Sequence, residues 1–378
     1  MRIAINTTSA VAGGGITYLK NLLRCLSKTP AGHQYLIITT PFGKETFHFQ
    51  HPDFTFLSFS IPSKGPLLRI LWEQCILPSI LKKERVDVLF SPGNICPLFS
   101  AIPNVVLIQN AEPLSNNPSL KKSLFQNIRL RLLKKLTLFS VKKARRVIFP
   151  SDMVRILVEK MGISVEHAVV IYHGINKEIF HLHYEDDVLH LCKKKYGLER
   201  FILYVSHIQR YKNFTELIKA FILLKDRIDD TIKLVFAGEC FDSNYYDEMQ
   251  AFIAEHKYGD RIIFLGNVSY TALPYLYSAC LLFVYPSICE SFGMTLTEAM
   301  SCGAPILASH VEPIREICAD AAVYFDPTDP AAIAKAVFNT LTDNNLISTL
   351  KIKSLKRSEE FSWENTVKKT LSAFEGVI

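Results

Sequence analysis

Two glutamates that stand eight residues apart, Glu290 and Glu298, lie in the segment of this sequence with the most chemical potential. Glu290 follows the apolar run 281–285, so we expect it in the loop after a strand. Residues 295–302 have helical character and Gly303 is a good helix stop, which places Glu298 about one turn inside a helix. A carboxylate in such a loop can bind sugar hydroxyls and stabilise positive charge at an anomeric carbon.

The loop that begins at Glu290 leads directly into that helix. Free backbone N–H groups and the helix dipole at a helix N-terminus favour a bound phosphate. Glu298 is then placed to reach a ligand hydroxyl, as acidic residues do for ribose in nucleotide sites. The alternative is a solvated loop glutamate beside a helix-surface glutamate, because pairs with this spacing are common by chance.

Two further segments follow predicted strands. Arg210 and Lys212 come after the apolar run 201–206, and a guanidinium and an ammonium can both bind an anion. The run of three glycines at 13–15 follows the first strand and would let backbone amides approach a phosphate or sugar closely. It is not a G-x-G-x-x-G fingerprint, which argues against dinucleotide binding. The alternatives are ordinary surface basic residues and a flexible turn.

The whole segment 286–305 resembles the retaining glycosyltransferases of family 4, whose signature is two glutamates separated by seven residues. Glu290 and Glu298 fit it, and the residues between and after them are also close. The resemblance implies that Glu290 contacts the donor sugar and that Glu298 binds the ribose. It also implies that the backbone amides of Phe292, Gly293 and Met294 hold sugar hydroxyls. Thr295 would touch the diphosphate.

The resemblance extends from Arg2 to the C-terminus and is weaker in the first half. Lys212 matches the lysine of the family segment G-R-x-x-x-x-K-N, which neutralises the donor diphosphate together with an arginine. Ser206 and His207 stand at the glycine and arginine positions, and Arg210 is close enough in sequence to substitute. The resemblance further implies that Gly14 and Gly15 approach the donor phosphates and the acceptor. Many members carry a histidine where Gln109 and Asn110 stand, at the acceptor side, and neither of these can act as an acid or base.

Thirteen short apolar runs alternate with helical patterns, which predicts parallel strands covered by helices on both faces. The polar stretch 181–195 is interpreted as a linker with the domain boundary near residue 190. The predicted domains are 1–190 on the acceptor side and 191–361 for the nucleotide sugar, with 362–378 crossing back onto the first. The predicted strands are 2–6, 35–40, 54–59, 86–90, 105–109, 146–150, 168–172, 201–206, 232–237, 262–265, 281–285, 305–308 and 323–325.

A predicted helix at 121–146 carries ten basic residues and no acidic ones, with apolar residues at helical spacing between them. Such a helix suits an anionic membrane surface. The alternative is a core helix with a solvated basic face. Nucleic-acid binding is less favoured, since no recognition motif for it is present.

Composition sets wider bounds. The net charge of +7 favours an anionic partner, and 49% hydrophobic with 21% charged residues is ordinary for a globular protein. Nine cysteines occur singly without a C-x-x-C pair, so we expect reduced, mostly buried thiols and no disulfide framework. Neither a signal peptide nor a spanning apolar run is present, which predicts a protein in the cytoplasm or on the cytoplasmic face of a membrane.

Together these features predict the GT-B fold, two Rossmann-like doubly wound domains facing across a cleft. The expected reaction moves a sugar, with retention, from a nucleoside-diphosphate sugar to an acceptor glycan, for which the resemblance favours a lipid-linked glycan of bacterial surface polysaccharide or lipopolysaccharide. No metal ion or cofactor is expected, and Lys212 with Arg210 would take the place of the metal. Two alternatives stay open: a sugar-nucleotide epimerase of similar architecture, and a non-catalytic membrane-docked protein that binds sugar nucleotides.

Overall fold

The computed structural model describes residues 1–61, 66–115, 124–183 and 185–377. The chain divides into two compact units, residues 1–174 with 362–378, and residues 175–361. Each unit is built around a sheet whose neighbouring strands are all parallel, and helices flank the strands along the chain. This arrangement lets apolar strands be buried on both faces.

The first unit contains a seven-stranded sheet in the order β3-β2-β1-β4-β5-β6-β7. A single turn of 3-10 helix at Glu112–Leu114 follows β5. The elements are β1 (Arg2–Asn6), α1 (Gly14–Lys28), β2 (Gln34–Thr39), α2 (Pro41–Phe47), β3 (Phe54–Ser58), α3 (Pro66–Cys75), α4 (Leu77–Lys83), β4 (Val88–Ser91), β5 (Asn104–Leu107), α5 (Leu124–Lys143), β6 (Arg146–Phe149), α6 (Asp152–Glu159) and β7 (Ala168–Val170).

The second unit contains a six-stranded sheet in the order β10-β9-β8-β11-β12-β13. A 3-10 turn at Arg210–Lys212 follows β8. The elements are α7 (Glu185–Tyr196), β8 (Phe201–Val205), α8 (Phe214–Leu223), β9 (Lys233–Ala237), α9 (Ser243–Glu255), β10 (Ile262–Phe264), α10 (Leu273–Ala279), β11 (Leu282–Tyr285), α11 (Met294–Ser301), β12 (Ile306–Ser309), α12 (Ile314–Cys318), β13 (Ala322–Phe325), α13 (Pro330–Leu341) and α14 (Asn344–Ser358).

All thirteen predicted strands are confirmed, with ends that differ from the prediction by at most two residues. Central strands such as β4, β8 and β11 are buried along their whole length, which is why they read as continuous apolar runs. The prediction worked because strands buried on two faces carry a stronger apolar signal than half-exposed ones.

The last helix, α15 (Trp363–Glu375), packs in the first unit. Its side chains Trp363, Val367 and Phe374 join the buried cluster that includes β1 and α1. The Ser362 hydroxyl caps the helix by accepting from the Asn365 N–H at 3.3 Å. Residues 362–377 therefore lie with the first unit although they follow the second in sequence.

The predicted boundary near residue 190, which gave domains 1–190 and 191–361, is wrong, and so is the linker at 181–195. The division falls between Gly174 and Ile175. The stretch contains helix α7, whose Val188 and Cys192 are buried, and the Cys192 thiol donates to the Tyr275 carbonyl of α10. The apolar stripe of this helix has only a few residues, and histidines, acidic residues and lysines surround it. The sequence pattern therefore indicated a polar linker instead of a helix.

All nine cysteines are free thiols, and six of them are buried. Within the described ranges, no helix combines the length and the apolar character needed to cross a membrane.

Gly174 lies against the start of α15 so closely that no side chain fits. A Cβ at this position would stand 2.3 Å from the Trp363 backbone nitrogen and 2.5 Å from its Cα. Because neither backbone atom can move alone, Gly174→Ala should lower the free energy of unfolding by about 1–3 kcal/mol in urea denaturation. Gly259→Ala is the matched control, since its Cβ would meet nothing within 4 Å. Equal stability of the two variants would contradict this packing.

Candidate active site

Two loops meet at the carboxyl edge of the second sheet. Strand β8 lies between β9 and β11, and the strand order reverses at β8 and β11. The loops that leave these strands therefore gather at a topological switch point, where sheets of this kind bind ligands. The predicted site residues of the second unit follow β8 and β11.

The centre of the site is a buried ion pair between Lys212 and Glu290. The Lys212 ammonium donates to Glu290 Oε1 at 2.6 Å, and the two side chains are only 8% and 10% exposed. The Tyr285 hydroxyl donates to the same oxygen at 2.6 Å. Such charge-assisted bonds are short and strong, and a buried charge needs them. Two of the three predicted catalytic residues are thus brought together.

The lysine is held from several sides. Tyr204, inside β8, donates its hydroxyl to the Lys212 carbonyl at 3.0 Å. Asn213 follows in the left-handed conformation, with φ 61°, and its side-chain amide donates to the Pro327 carbonyl. The Ile288 N–H, from the loop after β11, donates to the Tyr211 carbonyl at 3.0 Å. The loops after β8 and β11 are therefore fastened to each other.

Helix α11 begins beside this pair and has no side-chain cap. Gly293 forms its N-cap with φ 91°, a left-handed conformation that disfavours any other residue. Phe292 is buried with its ring 5.6 Å from that of Phe361, and the Thr295 side chain hydrogen-bonds Tyr285. The backbone N–H groups of the first turn, from Met294 on, are donors suited to an anion.

Glu298 lies one turn inside α11, as predicted, and is buried with 5% exposure. It accepts a hydrogen bond from the Tyr277 hydroxyl at 3.3 Å. Burial raises its pKa to about 8, and hydrogen bonds from Tyr277 and Tyr270 oppose part of that rise. Glu298 is therefore largely protonated at neutral pH in the absence of a ligand, and can both donate and accept. Its ribose-binding role stays a prediction.

Arg210 is turned toward α9 rather than toward the ion pair. Its guanidinium makes two hydrogen bonds to Glu248, at 2.6 and 2.9 Å, and lies 3.6 Å from Asp242. It also covers the Tyr245 ring at 5.0 Å. The hydrogen bonds with Glu248 raise its pKa. The ion pairs of Arg210 thus lie away from Lys212 and Glu290. That Arg210 takes the role of the family arginine stays a prediction.

His207 comes directly after Ser206 at the end of β8 and is half-buried. Its ring stacks on Phe241 with centroids 4.9 Å apart, and its Nε2 lies 3.4 Å from the Tyr211 hydroxyl. Burial, and then the Lys212 ammonium, lower its pKa to about 4. Ser206 itself is buried, and a Cβ on Gly238 would meet its carbonyl oxygen at 2.0 Å.

In the first unit, the structure places the glycine loop beside Gln109. Helix α1 begins at Gly14, and a Cβ on Gly15 would lie 3.6 Å from Gln109 Oε1. Asn94 Oδ1 accepts from the backbone N–H groups of Gln109 and Asn110 at 2.8 and 2.9 Å. Gly14, Gly15, Gln109 and Asn110 thus share one edge of the first sheet, while their predicted donor and acceptor roles stay predictions.

Sequence reasoning missed several residues that organise both units. In the sequence, Tyr285 only ends an apolar strand and His207 only departs from the family motif. Glu73 in α3 is buried and accepts from Thr8 Oγ1 at 2.7 Å and Asn6 Nδ2 at 3.1 Å, which fixes α3 at the end of β1. Asn94 also had no sequence signal apart from its suitability for a left-handed turn.

Within the described part of the chain, no cluster of three or more histidine, cysteine, aspartate or glutamate side chains is arranged to hold a metal ion. The expected independence from metal and cofactor stays a prediction.

Both halves of the chain match known glycosyltransferase domains. Residues 12–179 match the family described as Glycosyltransferase Family 4, and residues 192–357 match that described as Glycosyl transferases group 1. The two matches together span residues 12–357 apart from 180–191. The two matches fall on the two parallel-sheet units, apart from a few residues at their junction.

Two curated relatives come from Escherichia coli. O-antigen chain mannosyltransferase B is 32% identical over 188 residues, which are 49% of this chain and 48% of that protein. The serotype-specific mannosyltransferase WbdA is 30% identical over 222 residues, which are 58% of this chain and 27% of that protein. The chain thus spans about half or less of the length of these relatives.

Solved structures establish the fold. Anabaena HepE, in complex with UDP and glucose, superimposes with a TM-score of 0.79 at 18% identity over 100% of both chains. WaaG, a glycosyltransferase involved in lipopolysaccharide biosynthesis, gives a TM-score of 0.80 at 15% identity over 99% of this chain and 100% of WaaG. The predicted GT-B fold of two Rossmann-like domains is confirmed.

The raised pKa of Glu298 makes stability depend on pH. The folded state keeps the proton up to about pH 8, whereas the unfolded carboxyl loses it near pH 4.5. Stability is therefore full below pH 4.5 and falls across this window, by about 1.4 kcal/mol per pH unit. Glu298→Gln, a neutral isostere, should gain stability over the wild type as pH rises from 5 to 8.

Urea denaturation at several pH values measures this difference. Glu255→Gln, at an exposed position that ends α9, is the control and should follow the wild type. A constant difference between Glu298→Gln and the wild type at all pH values would show that Glu298 is ionised in the fold.

Proposed function

We propose that this protein is a retaining glycosyltransferase that moves a hexosyl group from a nucleoside-diphosphate sugar to an acceptor glycan. The observation that carries the proposal is the buried Lys212–Glu290 pair beside the uncapped start of α11. A cation, helix N-terminal amides and a fixed carboxylate are what a sugar diphosphate requires at its reacting end. The two glycosyltransferase domain matches support the same class of reaction.

The proposed roles follow from the geometry. The diphosphate lies against the first turn of α11 and the Lys212 ammonium, which stabilises the charge that grows on the leaving group. Glu290 is fixed by Lys212 and Tyr285, so its carboxylate holds one orientation toward the sugar. Glu298, protonated in the empty site, can exchange hydrogen bonds with the ribose hydroxyls.

The fate of the acceptor proton follows from the side chains at the acceptor edge. Gln109 and Asn110 cannot take a proton, so the departing diphosphate is the proposed base. The bond between the anomeric carbon and the phosphate oxygen breaks, and the acceptor oxygen bonds to that carbon on the same face. The acceptor proton moves to the released phosphate oxygen. This sequence balances charge and retains the anomeric configuration.

The names of the relatives narrow the first donors to test. Two are mannosyltransferases, one of them an O-antigen chain enzyme, and HepE is solved with UDP and glucose. We therefore propose GDP-mannose as the first donor and UDP-glucose as the second. Lipid-linked glycans of O-antigen or related surface polysaccharides are the proposed acceptors. A sugar-nucleotide epimerase would need no acceptor, and a non-catalytic binder would leave the donor intact.

We also propose that helix α5 and its surroundings bind the cytoplasmic face of the inner membrane. The apolar residues Ile128, Leu132 and Phe139 are exposed, whereas Thr137 and Ser140 are buried. The apolar stripe therefore faces solvent, which argues against the core-helix alternative for the described part of the predicted segment. Lys121 and Lys122 lie outside the described residues.

Basic side chains share this exposed side of α5, and apolar ones continue beyond it. Exposed basic residues of α5 include Arg129, Arg131 and Lys135, and exposed apolar residues on neighbouring elements include Leu67, Leu68, Leu71 and Phe99. The segment after β4 joins the helices, because Gln74 of α3 bonds Cys96 and Leu98, and Cys96 bonds Ser140 of α5. Apolar and basic groups together suit insertion into an anionic bilayer surface.

Removing the charge of Glu290 should stop transfer, and it should also lower the melting temperature, because the buried Lys212 ammonium loses its partner. Glu290→Gln keeps the shape but loses the carboxylate paired with Lys212, so transfer should fall at least about 100-fold. The assay measures nucleoside diphosphate released from GDP-mannose or UDP-glucose with polyprenyl-diphosphate-linked glycans as acceptors. Donor binding is measured separately on the wild type by a thermal-shift assay. At a donor concentration 100 times its dissociation constant, the free energy of unfolding should increase by about 2.7 kcal/mol.

Glu255→Gln is the control for this assay and should transfer at the wild-type rate. Transfer by Glu290→Gln close to the wild-type rate would contradict the proposed site. A product whose anomeric configuration is opposite to that of the donor would contradict retention. Donor that binds and is never cleaved, whichever acceptor is supplied, would favour the non-catalytic alternative.

The proposed membrane-binding surface around α5 should prefer anionic lipids. Binding to phosphatidylcholine vesicles should increase when phosphatidylglycerol is added and decrease with salt, since each basic residue near an anionic surface contributes about 1 kcal/mol. Phe139→Ser should reduce the bound fraction in a vesicle sedimentation assay. Ile352→Ser, an exposed isoleucine between two lysines of α14, is the control and should bind as the wild type. Equal binding to neutral and anionic vesicles would contradict the proposal.

A further inference from the structure

The charges of the donor site do not match the ligand proposed for it. Lys212 and Glu290 neutralise each other at 2.6 Å, and Arg210 is engaged by Glu248 and Asp242. A nucleoside-diphosphate sugar brings one negative charge on each phosphate. Lys212 and Arg210 already form ion pairs, and His207 is the histidine in the turn after β8 and the loop after β11 that can still become a cation.

His207 lies where such a charge would act. It follows the last residues of β8. The charged groups that act on its side chain are Lys212 and Glu290. From the turn after β8 it meets Gln209, the Tyr211 hydroxyl and the Lys212 ammonium; from the loop after β11, the Glu290 carboxylate; and from the segment after β9, the uncharged ring of Phe241. Lys212 disfavours the imidazolium, and Glu290 and Gln209 favour it.

We infer that His207 binds the donor diphosphate as an imidazolium, so that the protein takes up one proton from solvent when the donor binds. This inference rests on the proposed function and concerns the same site. The proton adds to the ring nitrogen that carries no hydrogen in the neutral imidazole, and no covalent bond other than this N–H changes. It stays on His207 while the diphosphate is bound and returns to solvent when the nucleoside diphosphate leaves.

The empty site keeps His207 neutral, since burial and Lys212 lower its pKa to about 4. A phosphate at hydrogen-bonding distance favours the charged form and raises that pKa in the complex. Between these two pKa values, donor binding takes up a proton, and the association constant rises about tenfold for each unit by which pH falls. Above the pKa of the complex, both states are neutral and affinity is independent of pH.

Calorimetry can count this proton. GDP-mannose and UDP-glucose are titrated into the wild type in buffers with different ionisation enthalpies, between about pH 5 and 8, where histidine switches. These sugar diphosphates stay fully ionised over that range, so the ligand takes up no proton. We expect uptake that approaches one proton per donor at the acid end and an association constant that increases in step.

Variants assign the proton to a residue. His207→Arg, a permanent cation, should bind without proton uptake, and His207→Gln should bind more weakly at pH 6 with no uptake. Glu298→Gln separates the other buried group with a shifted pKa: uptake that persists in this variant belongs to His207. His256→Gln, an exposed histidine that follows α9, is the matched control. Melting temperatures of the unliganded variants establish that each one folds.

The possible results distinguish failure of the His207 inference from failure of the proposed glycosyltransferase function. Donor binding without proton uptake, or uptake that is unchanged in His207→Arg, would overturn the role of His207 and leave the glycosyltransferase proposal intact. Failure of the folded wild type to bind either nucleotide sugar at any pH would contradict the proposed function itself.

Discussion

The buried contact between Lys212 and Glu290 constrains the rest of the second unit. Each charge is tolerated away from water only because the other is present, so the turn after β8 and the loop after β11 must meet within hydrogen-bonding distance. That requirement fixes β8 and β11 as neighbours, although 78 residues separate the two side chains. Tyr285 strengthens the constraint, because it ends β11 and donates to the same carboxylate oxygen.

The ion pair also determines how the site can treat an anion. Because Glu290 already offsets the Lys212 charge, further attraction for a phosphate must come from groups around the pair: the N–H groups at the start of α11 and a histidine whose charge depends on its surroundings. A permanent arginine at 207 would lie near Lys212 and repel it in the empty site. A neutral histidine avoids that repulsion until a negative ligand is present.

The sequence predicts the secondary structure and the chemical centre for different physical reasons. Strands buried on both faces form unbroken apolar runs, and Glu290 and Glu298 lie close together in the chain beside a glycine that must be left-handed. Tyr285 and His207 beside this centre, and Asn94 and Glu73 in the first unit, could not be predicted, because they act through contacts made only after the sheets assemble. Helix α7 was missed because charged residues outnumber Val188 and Cys192, the apolar ones that anchor it.

Several features of the second unit cost stability and have no use in the fold alone. Glu298 is buried where its ionised form is disfavoured, His207 is held below its usual pKa, and α11 begins without the side-chain cap that other helices of the unit have, such as Asp242 before α9. At neutral pH a neutral residue at 298 would stabilise the protein, whereas the lowered pKa of His207 costs stability only below its usual value of 6.5. All three lie on the loops that leave β8 and β11 or on the helix that follows, so one ligand at this edge could compensate them together. Their grouping is what a binding site predicts and a purely structural edge does not.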